Sequence, residues 1–477
     1  MTRSIKEDFD EKDHHRHSLD SHDDDGPSNE RPDFYPAEAA EELQPEAIER
    51  TTTRDHNTSA LSRIITGRSI TSTRQDPGPP PDGGLDAWLQ VAMGHLVIFN
   101  TWGYISSFGV FQSYYTETLN RPPADISWVG SIQIFLLFFI GTAAGRATDA
   151  GFFRPVFVTG FVLQLIGTFM TSLSTKYWQL FLAQGVCTGL GNGLQFAPTM
   201  TLITTYFAKR RSSALGVVAS GSATGGIVYS VLVRQLLPKL GFGTTVRVLG
   251  FVTMGTGLIS IAFLRTRLPP RKAGPLVEWS AFKEIPYTLY CIGMFLNFWS
   301  LYFAFYYVGS FGRNMIGVSY EDSINYLLIL NSVGYPGRLI PNYLADKYFG
   351  PLNSIIPFSF LSGIMFFAWS GVSNRGGLIA FSAFYGLSAA GIQSLFPATL
   401  SSLTSDLRKA GTRLGMGFTI VSFAALTGPS VAGALITNAD GKYLDAQMWA
   451  GTMMLCGCFT LIAARVVKVG WRFKVKI

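Results

Sequence analysis

Apolar residues in this chain gather into runs long enough to cross ~30 Å of hydrocarbon, separated by short polar connections, from about residue 88 onward. The runs cover roughly 88–112, 126–148, 154–174, 177–203, 213–236, 246–265, 287–309, 323–345, 351–371, 377–401, 412–436 and 446–467, which predicts about twelve transmembrane helices. The two halves of this array echo each other. Pro198 is followed by Lys209-Arg210 and then Leu215-Gly216, and Pro397 by Arg408-Lys409 and then Leu414-Gly415, with the same spacings. Upstream, Ala147-Thr148-Asp149-Ala150-Gly151 after the second run is matched by Leu344-Ala345-Asp346-Lys347 and Gly350 after the eighth. Two matches in register predict an all-α membrane protein of two six-helix bundles. The expected divisions are a tail at 1–80, a first bundle at 81–265, a basic linker at 266–286, a second bundle at 287–468 and a short end at 469–477.

Composition supports this reading. Nearly half of the 477 residues are apolar, 14% are charged, and Phe is abundant at 37, a balance foreign to most soluble enzymes. The charge is uneven: residues 1–80 hold about 18 of the 31 acids and about 10 of the 38 basic residues, so the tail is near −8 and the remainder near +15. A basic membrane domain matches anionic lipid headgroups, and nucleic acid is not an expected partner. The tail lacks apolar runs and is expected to be disordered. Its His14, His15, His17 and His22 beside Asp23, Asp24 and Asp25 read as solvated tail, so no metal is assigned. Asn57-Thr58-Ser59 fits the glycosylation pattern and is expected to be unused in a cytosolic tail. Cys187, Cys291, Cys456 and Cys458 fall within apolar runs as small hydrophobes, and no disulfide framework is indicated. Lys and Arg crowd the connections after even-numbered runs, among them Arg154, Lys209 to Arg211, Lys347, and Arg408, Lys409 and Arg413. That bias predicts both termini in the cytosol, with the plasma membrane as the default location.

One run breaks its own pattern. Asn331 to Asp346 carries Arg338 roughly 12 Å inside the cytoplasmic end of the eighth helix, at ~1.5 Å per residue. A charge there marks a substrate or ion path, or it snorkels to the interface. Pro336, Gly337 and Pro341 can open the helix only where protein or water satisfies the backbone.

The loop motifs resemble the major facilitator superfamily through Gly145, Asp149, Gly151 and Arg154 in the first half, and Asp346, Lys347 and Gly350 in the second, where Asn342 stands at the leading glycine. The resemblance implies the major facilitator fold, with Asp149, Arg154, Asp346 and Arg146 as gating residues that pair in one conformation and release in another. Within that superfamily the chain looks most similar to the monocarboxylate transporter family, its fungal members especially. Asp82-Gly83-Gly84 with Trp88, Tyr206 to Arg211 with Ala214, Gly216 and Gly221, and Gly337-Arg338 carry this finer resemblance. It implies that Arg338 contacts a substrate carboxylate, which a guanidinium fork suits. Two departures put lactate-type proton symport in doubt: the first helix reads Tyr104-Ile105-Ser106-Ser107-Phe108 without a lysine, and Gly334 replaces an acid four residues before Arg338.

The superfamily's first, fourth, seventh and tenth helices line the central path. On them Asn100, Trp102, Tyr104, Gln184, Thr188, Asn192, Gln195, Asn297, Tyr302, Tyr306 and Gln393 are candidate substrate contacts. Gln184, Thr188 and Gln195 share one helical face, which suits a wet cavity or interhelical hydrogen bonds. His95 is the embedded group with a near-neutral unperturbed pKa, so it is the candidate proton carrier, with a plain hydrogen-bonded histidine as the alternative. The expected function is secondary active transport of a small organic anion or monocarboxylate-like metabolite, with a proton as candidate coupling ion. A larger, less charged substrate and a non-transporting nutrient sensor on the same fold stay open. No P-loop, nucleotide-binding Gly motif or zinc-ligand spacing is present, so neither an enzyme nor a cofactor is expected.

Overall fold

The computed structural model describes residues 78–472 and 475, except 122, 270–274 and 405. The tail's histidine cluster, its glycosylation pattern and its expected disorder lie outside the described residues. Among these the chain is helical and forms no strand.

Helix α1 runs from 85 to 119 as Leu85–Ile98, the π turn Phe99–Gly103, Tyr104–Ser106 and Phe108–Leu119. Helix α2 joins Pro123–Phe139 to Gly141–Asp149, and α3 is Phe153–Leu173. Helix α4 comprises Tyr177–Leu180, the π turn Phe181–Cys187 and Thr188–Tyr206. Two helices, α5 (211–240) and α6 (242–263), follow each other with a single break at Gly241, whose φ of 73° a side chain would resist. Pro238 just before it removes a backbone donor, so the turn forms where the helix is already weakened. The second half holds α7 (Ile285–Phe311), α8 (Tyr320–Leu344), α9 (Pro351–Trp369), α10 (Arg375–Ser402), α11 (Ala410–Asn438) and α12 (Leu444–Val469). The Ser319 hydroxyl caps α8 by accepting from Asp322 N at 3.1 Å, and the Asn374 carbonyl caps α10 by accepting from Gly377 N at 2.8 Å.

Among the described residues, eight helical stretches are long and apolar enough to cross a membrane, and one of them contains both α5 and α6. The remaining three, α1, α4 and α8, carry the polar positions that lower their hydropathy. Outward faces are apolar: Val158, Val162, Ile166 and Met170 recur every four residues along α3 and are exposed, as are Phe251, Leu258 and Ile259 on α6. A helix whose exposed stripe is apolar and whose buried stripe is polar faces lipid.

Helices α1 to α6 pack on one another, as do α7 to α12, and the halves meet where α2 lies against α11 and α5 against α8. Small residues set both junctions. Gly145 and Gly411 touch through backbone, and Gly216 rests on α8, where an added Cβ would lie 2.8 Å from the Arg338 carbonyl oxygen. Both described ends of the chain lie at one face of the helix array, called the termini face below; the opposite face is the far face.

Candidate functional site

Arg338 is 3% exposed, six residues before the C-terminal end of α8. Its Nη1 donates to the Gly334 carbonyl at 3.0 Å and its Nη2 to Gln393 Oε1 on α10 at 2.9 Å. The first bond depends on a missing side chain, because a Cβ at Gly334 would lie 2.6 Å from Nη1. The guanidinium therefore folds back over its own helix and points between the halves. Asn342, one turn further on, donates to the Arg338 carbonyl at 2.8 Å and to Ser394 Oγ at 2.7 Å, which fixes this stretch of α8 against α10.

Arg338 and Gln393 border two central voids, and Trp102 of α1 and Tyr302 of α7 border both as well. These two rings stack across the junction of the halves, centroids 6.3 Å apart and 9° from parallel. Each void offers about 40 Å³ to water-sized molecules, room for a few waters and too little for a metabolite. Toward the termini face the first void ends on an aromatic plug in which Phe418 meets Phe196 at 4.9 Å, Phe396 at 5.3 Å and Phe138 at 5.6 Å. Toward the far face the second void shares Gln112, Phe305, Tyr306 and Leu327 with a vestibule of about 200 Å³. Phenylalanines thus border the first void, and the second adjoins the far-face vestibule.

Below the plug, two carboxylates cross the junction of the halves and cap helices of the opposite half. Asp149 at the end of α2 accepts from Gly411 N at 3.1 Å, and from Thr412 N and Thr412 Oγ1, both at 2.9 Å, at the start of α11. Asp346, just past α8, accepts from Ser212 N at 3.0 Å and Ser213 N at 2.5 Å at the start of α5. Each negative charge sits where a helix presents unsatisfied donors and the positive end of its dipole. Arg146 lies one turn before Asp149, and Arg154 opens α3.

The other sequence candidates divide into two groups. Trp102, Tyr302, Tyr306 and Gln393 line the voids with Arg338. Asn100, Tyr104, Gln184, Asn192, Gln195 and Asn297 are buried inside their own bundles instead. Asn100 Oδ1 accepts from Tyr229 at 3.0 Å and Thr256 at 2.8 Å, and Tyr104 packs edge-on against Tyr229. Gln184 accepts from Tyr115 at 2.6 Å, Gln195 donates to Gln164 at 2.9 Å, and Asn297 accepts from Ser359 at 2.6 Å. The Asn192 amide has no hydrogen-bond partner among the described residues. The cause on α4 is its glycine ridge: Gly185, Gly189 and Gly193 seat the helix on α2, which leaves Gln195 toward α3 and gives Phe196 and Met200 to the void. His95 joins α1 to α5, with Nδ1 2.9 Å from the Val217 carbonyl and Nε2 3.0 Å from Thr224 Oγ1.

Three features escaped the sequence reading. The aromatic plug is built from phenylalanines that look like ordinary membrane-helix residues. The motif stretches around Asp82 and Tyr206 prove to be one structure: Asp82 Oδ1 accepts from Ala208 N at 2.5 Å and Lys209 N at 2.7 Å, pinning the entry to α1 on the α4–α5 loop. The linker is also clamped. Arg413 in the first turn of α11 bonds Glu278 through Nε at 3.3 Å and Glu284 through Nη1 at 3.1 Å, while Lys409 reaches Glu278 at 2.8 Å. Burial pushes the Glu278 carboxyl up, but the hydrogen bonds from Lys409 and Arg413 outweigh it and hold the group below its ordinary value. Two acids in an otherwise basic linker were the available signal.

The geometry is that of a helical array with small central voids between its two halves. The chain matches the Major Facilitator Superfamily model over residues 93–420, and it belongs to that family. It is similar to an MFS-type transporter of Gibberella zeae, 49% identical over 408 residues that cover 85% of this chain and 92% of the relative. The aspyridones efflux protein of Emericella nidulans is 33% identical over 392 residues, 82% of this chain and 80% of the relative. Among solved structures, the human organic anion transporter MFSD10 (TETRAN) aligns with a TM-score of 0.66 at 13% identity, covering 79% of this chain and 99% of that one. The E. coli fucose:proton symporter FucP aligns with a TM-score of 0.61 at 13% identity, over 80% and 98%. These two show the fold. The protein is a multi-pass membrane transporter of the major facilitator type.

Proposed function

We propose that this transporter is secondary active and moves an organic anion of monocarboxylate-like chemistry with an apolar body, by alternating access of its two halves. The reading rests on Arg338, the one charged side chain that lines either central void among the described residues. A buried guanidinium is costly without a counter-charge, and here its partners are a carbonyl and an amide. An anionic substrate supplies the missing charge through a forked, charge-assisted contact, while Trp102, Tyr302 and Tyr306 face its apolar part. We assign Asn100, Tyr104, Gln184, Asn192, Gln195 and Asn297 to the scaffold. Asp149 and Asp346 act as releasable caps of a cytosolic gate, with both termini in the cytosol of a plasma-membrane protein.

Arg338→Lys keeps the charge and loses the fork. Flux of carboxylates in vesicles is expected to fall by about 100-fold, roughly 2–3 kcal/mol, while membrane insertion is retained. Wild-type flux in this variant removes the assigned role. Imposing a pH gradient on the same vesicles decides whether a proton is the coupling ion.

A second reading, export of a larger and less charged metabolite, is favoured by the aromatic plug and by the efflux name of the Emericella relative. Competition separates the two: carboxylates outcompete their esters under the first, and esters compete equally under the second.

A further inference from the structure

At the termini face a hollow of about 450 Å³ opens beside the proposed gate, and of the side chains that line it only Asp346 has a role in the proposed cycle. Its walls come from both halves. Lys209, Arg211 and Ser212 belong to the α4–α5 loop and α5, whereas Asp346, Pro351, Ser402 and Lys468 belong to the second half. Three cations on separate elements thus face one space. The single acid among them, Asp346, is engaged with the backbone of Ser212 and Ser213. Arg211 is held in place by its own bonds, Nε to the Phe207 carbonyl at 3.0 Å and Nη1 to Ser401 Oγ at 3.2 Å. The Lys209 and Lys468 side chains are exposed and reach the hollow from opposite sides of the junction.

We propose that this hollow is an effector site for a phosphate-bearing anion, which holds the termini-face gate shut. The chemistry is that of a multiply charged oxyanion met by several cations and the Ser212 hydroxyl. The state dependence follows from the walls: rocking the halves apart at this face separates Lys209 from Lys468 and dismantles the site. A ligand that binds one conformer alone shifts the equilibrium toward it, so at ten times its dissociation constant the closed-to-open ratio rises about 11-fold. The phosphate has two possible sources, a soluble metabolite or a lipid headgroup.

The test uses the purified full-length chain and the double variant Lys209→Gln, Lys468→Gln. Both side chains are exposed, and neither belongs to the substrate path or the gate, so folding is preserved. Inorganic pyrophosphate is titrated by calorimetry in detergent; separately, melting is measured in nanodiscs of phosphatidylcholine with and without phosphatidylinositol phosphate. Saturable pyrophosphate binding that weakens about tenfold or more in the double variant supports a soluble effector. Stabilisation only by the phosphorylated lipid, lost in the double variant, supports a headgroup. Absence of both responses, or responses equal in the double variant, overturns the proposal. Neither readout requires a transported substrate, so this outcome is independent of the role given to Arg338.

Discussion

The two halves share a repeat and differ where the chemistry lies. Asp346 and Asp149 occupy equivalent places, and eight residues before them stand Arg338 and Gly141. On α8 that position puts a guanidinium into the central path. On α2 it is pressed against α11, where a Cβ at Gly141 would lie 3.2 Å from Phe418 Cβ, so the first half has no room for a counterpart. The two caps diverge in the same way. Asp149 holds a helix that the linker also braces through Glu278, Glu284 and Arg413, whereas Asp346 holds one that borders an open cationic hollow. The repeat accounts for the paired caps; the broken symmetry accounts for the proposed binding site and for two proposed gates with different reinforcement.

Removing the brace is the harshest test of that contrast. Glu278→Gln takes the buried partner from Arg413, which is 4% exposed, and leaves it Glu284 alone, and is expected to lower stability by about 2 kcal/mol. Lys409→Gln removes a partly exposed charge from the same carboxylate and should cost about 1 kcal/mol or less. Denaturant unfolding in detergent measures both, and equal costs would show that the linker does not brace α11.

Smaller effects are expected at the caps. Asp149→Asn and Asp346→Asn each weaken gate closure by about 1 kcal/mol, a roughly fivefold rise in opening. Asp149, which also accepts from the Thr412 hydroxyl, is expected to lose more. Ser222 lines the first void, so thiol labelling of Ser222→Cys from the termini face, read against the unsubstituted protein, ranks them; a larger effect at Asp346 reverses the comparison.

The mildest test is pH. Because the folded Glu278 carboxyl lies below its ordinary value, its contribution is present above the unfolded pKa, about 4.3, and is lost as pH falls through the lower folded value. Melting should be insensitive to this group from neutrality to about pH 5 and should decline below about pH 4, and the Glu278→Gln protein should lack that component of the decline. An unchanged acid limb in the variant would remove the linkage.

Sequence alone determined the twelve apolar runs, the repeat and the isolated charge at Arg338, because lipid demands continuous apolar helices and makes any intramembrane cation conspicuous. It also showed that Gln184, Thr188 and Gln195 share a face, since helical periodicity is local. Which neighbour that face meets was decided only in three dimensions, by glycines seating α4 on α2 and by a π turn in α1 that sets the bearing of Asn100 and Trp102. The phenylalanine plug, the caps across the halves and the linker clamp were illegible for the same reason. Each depends on groups from distant parts of the chain converging, and no pattern within a single helix encodes where its partner will stand.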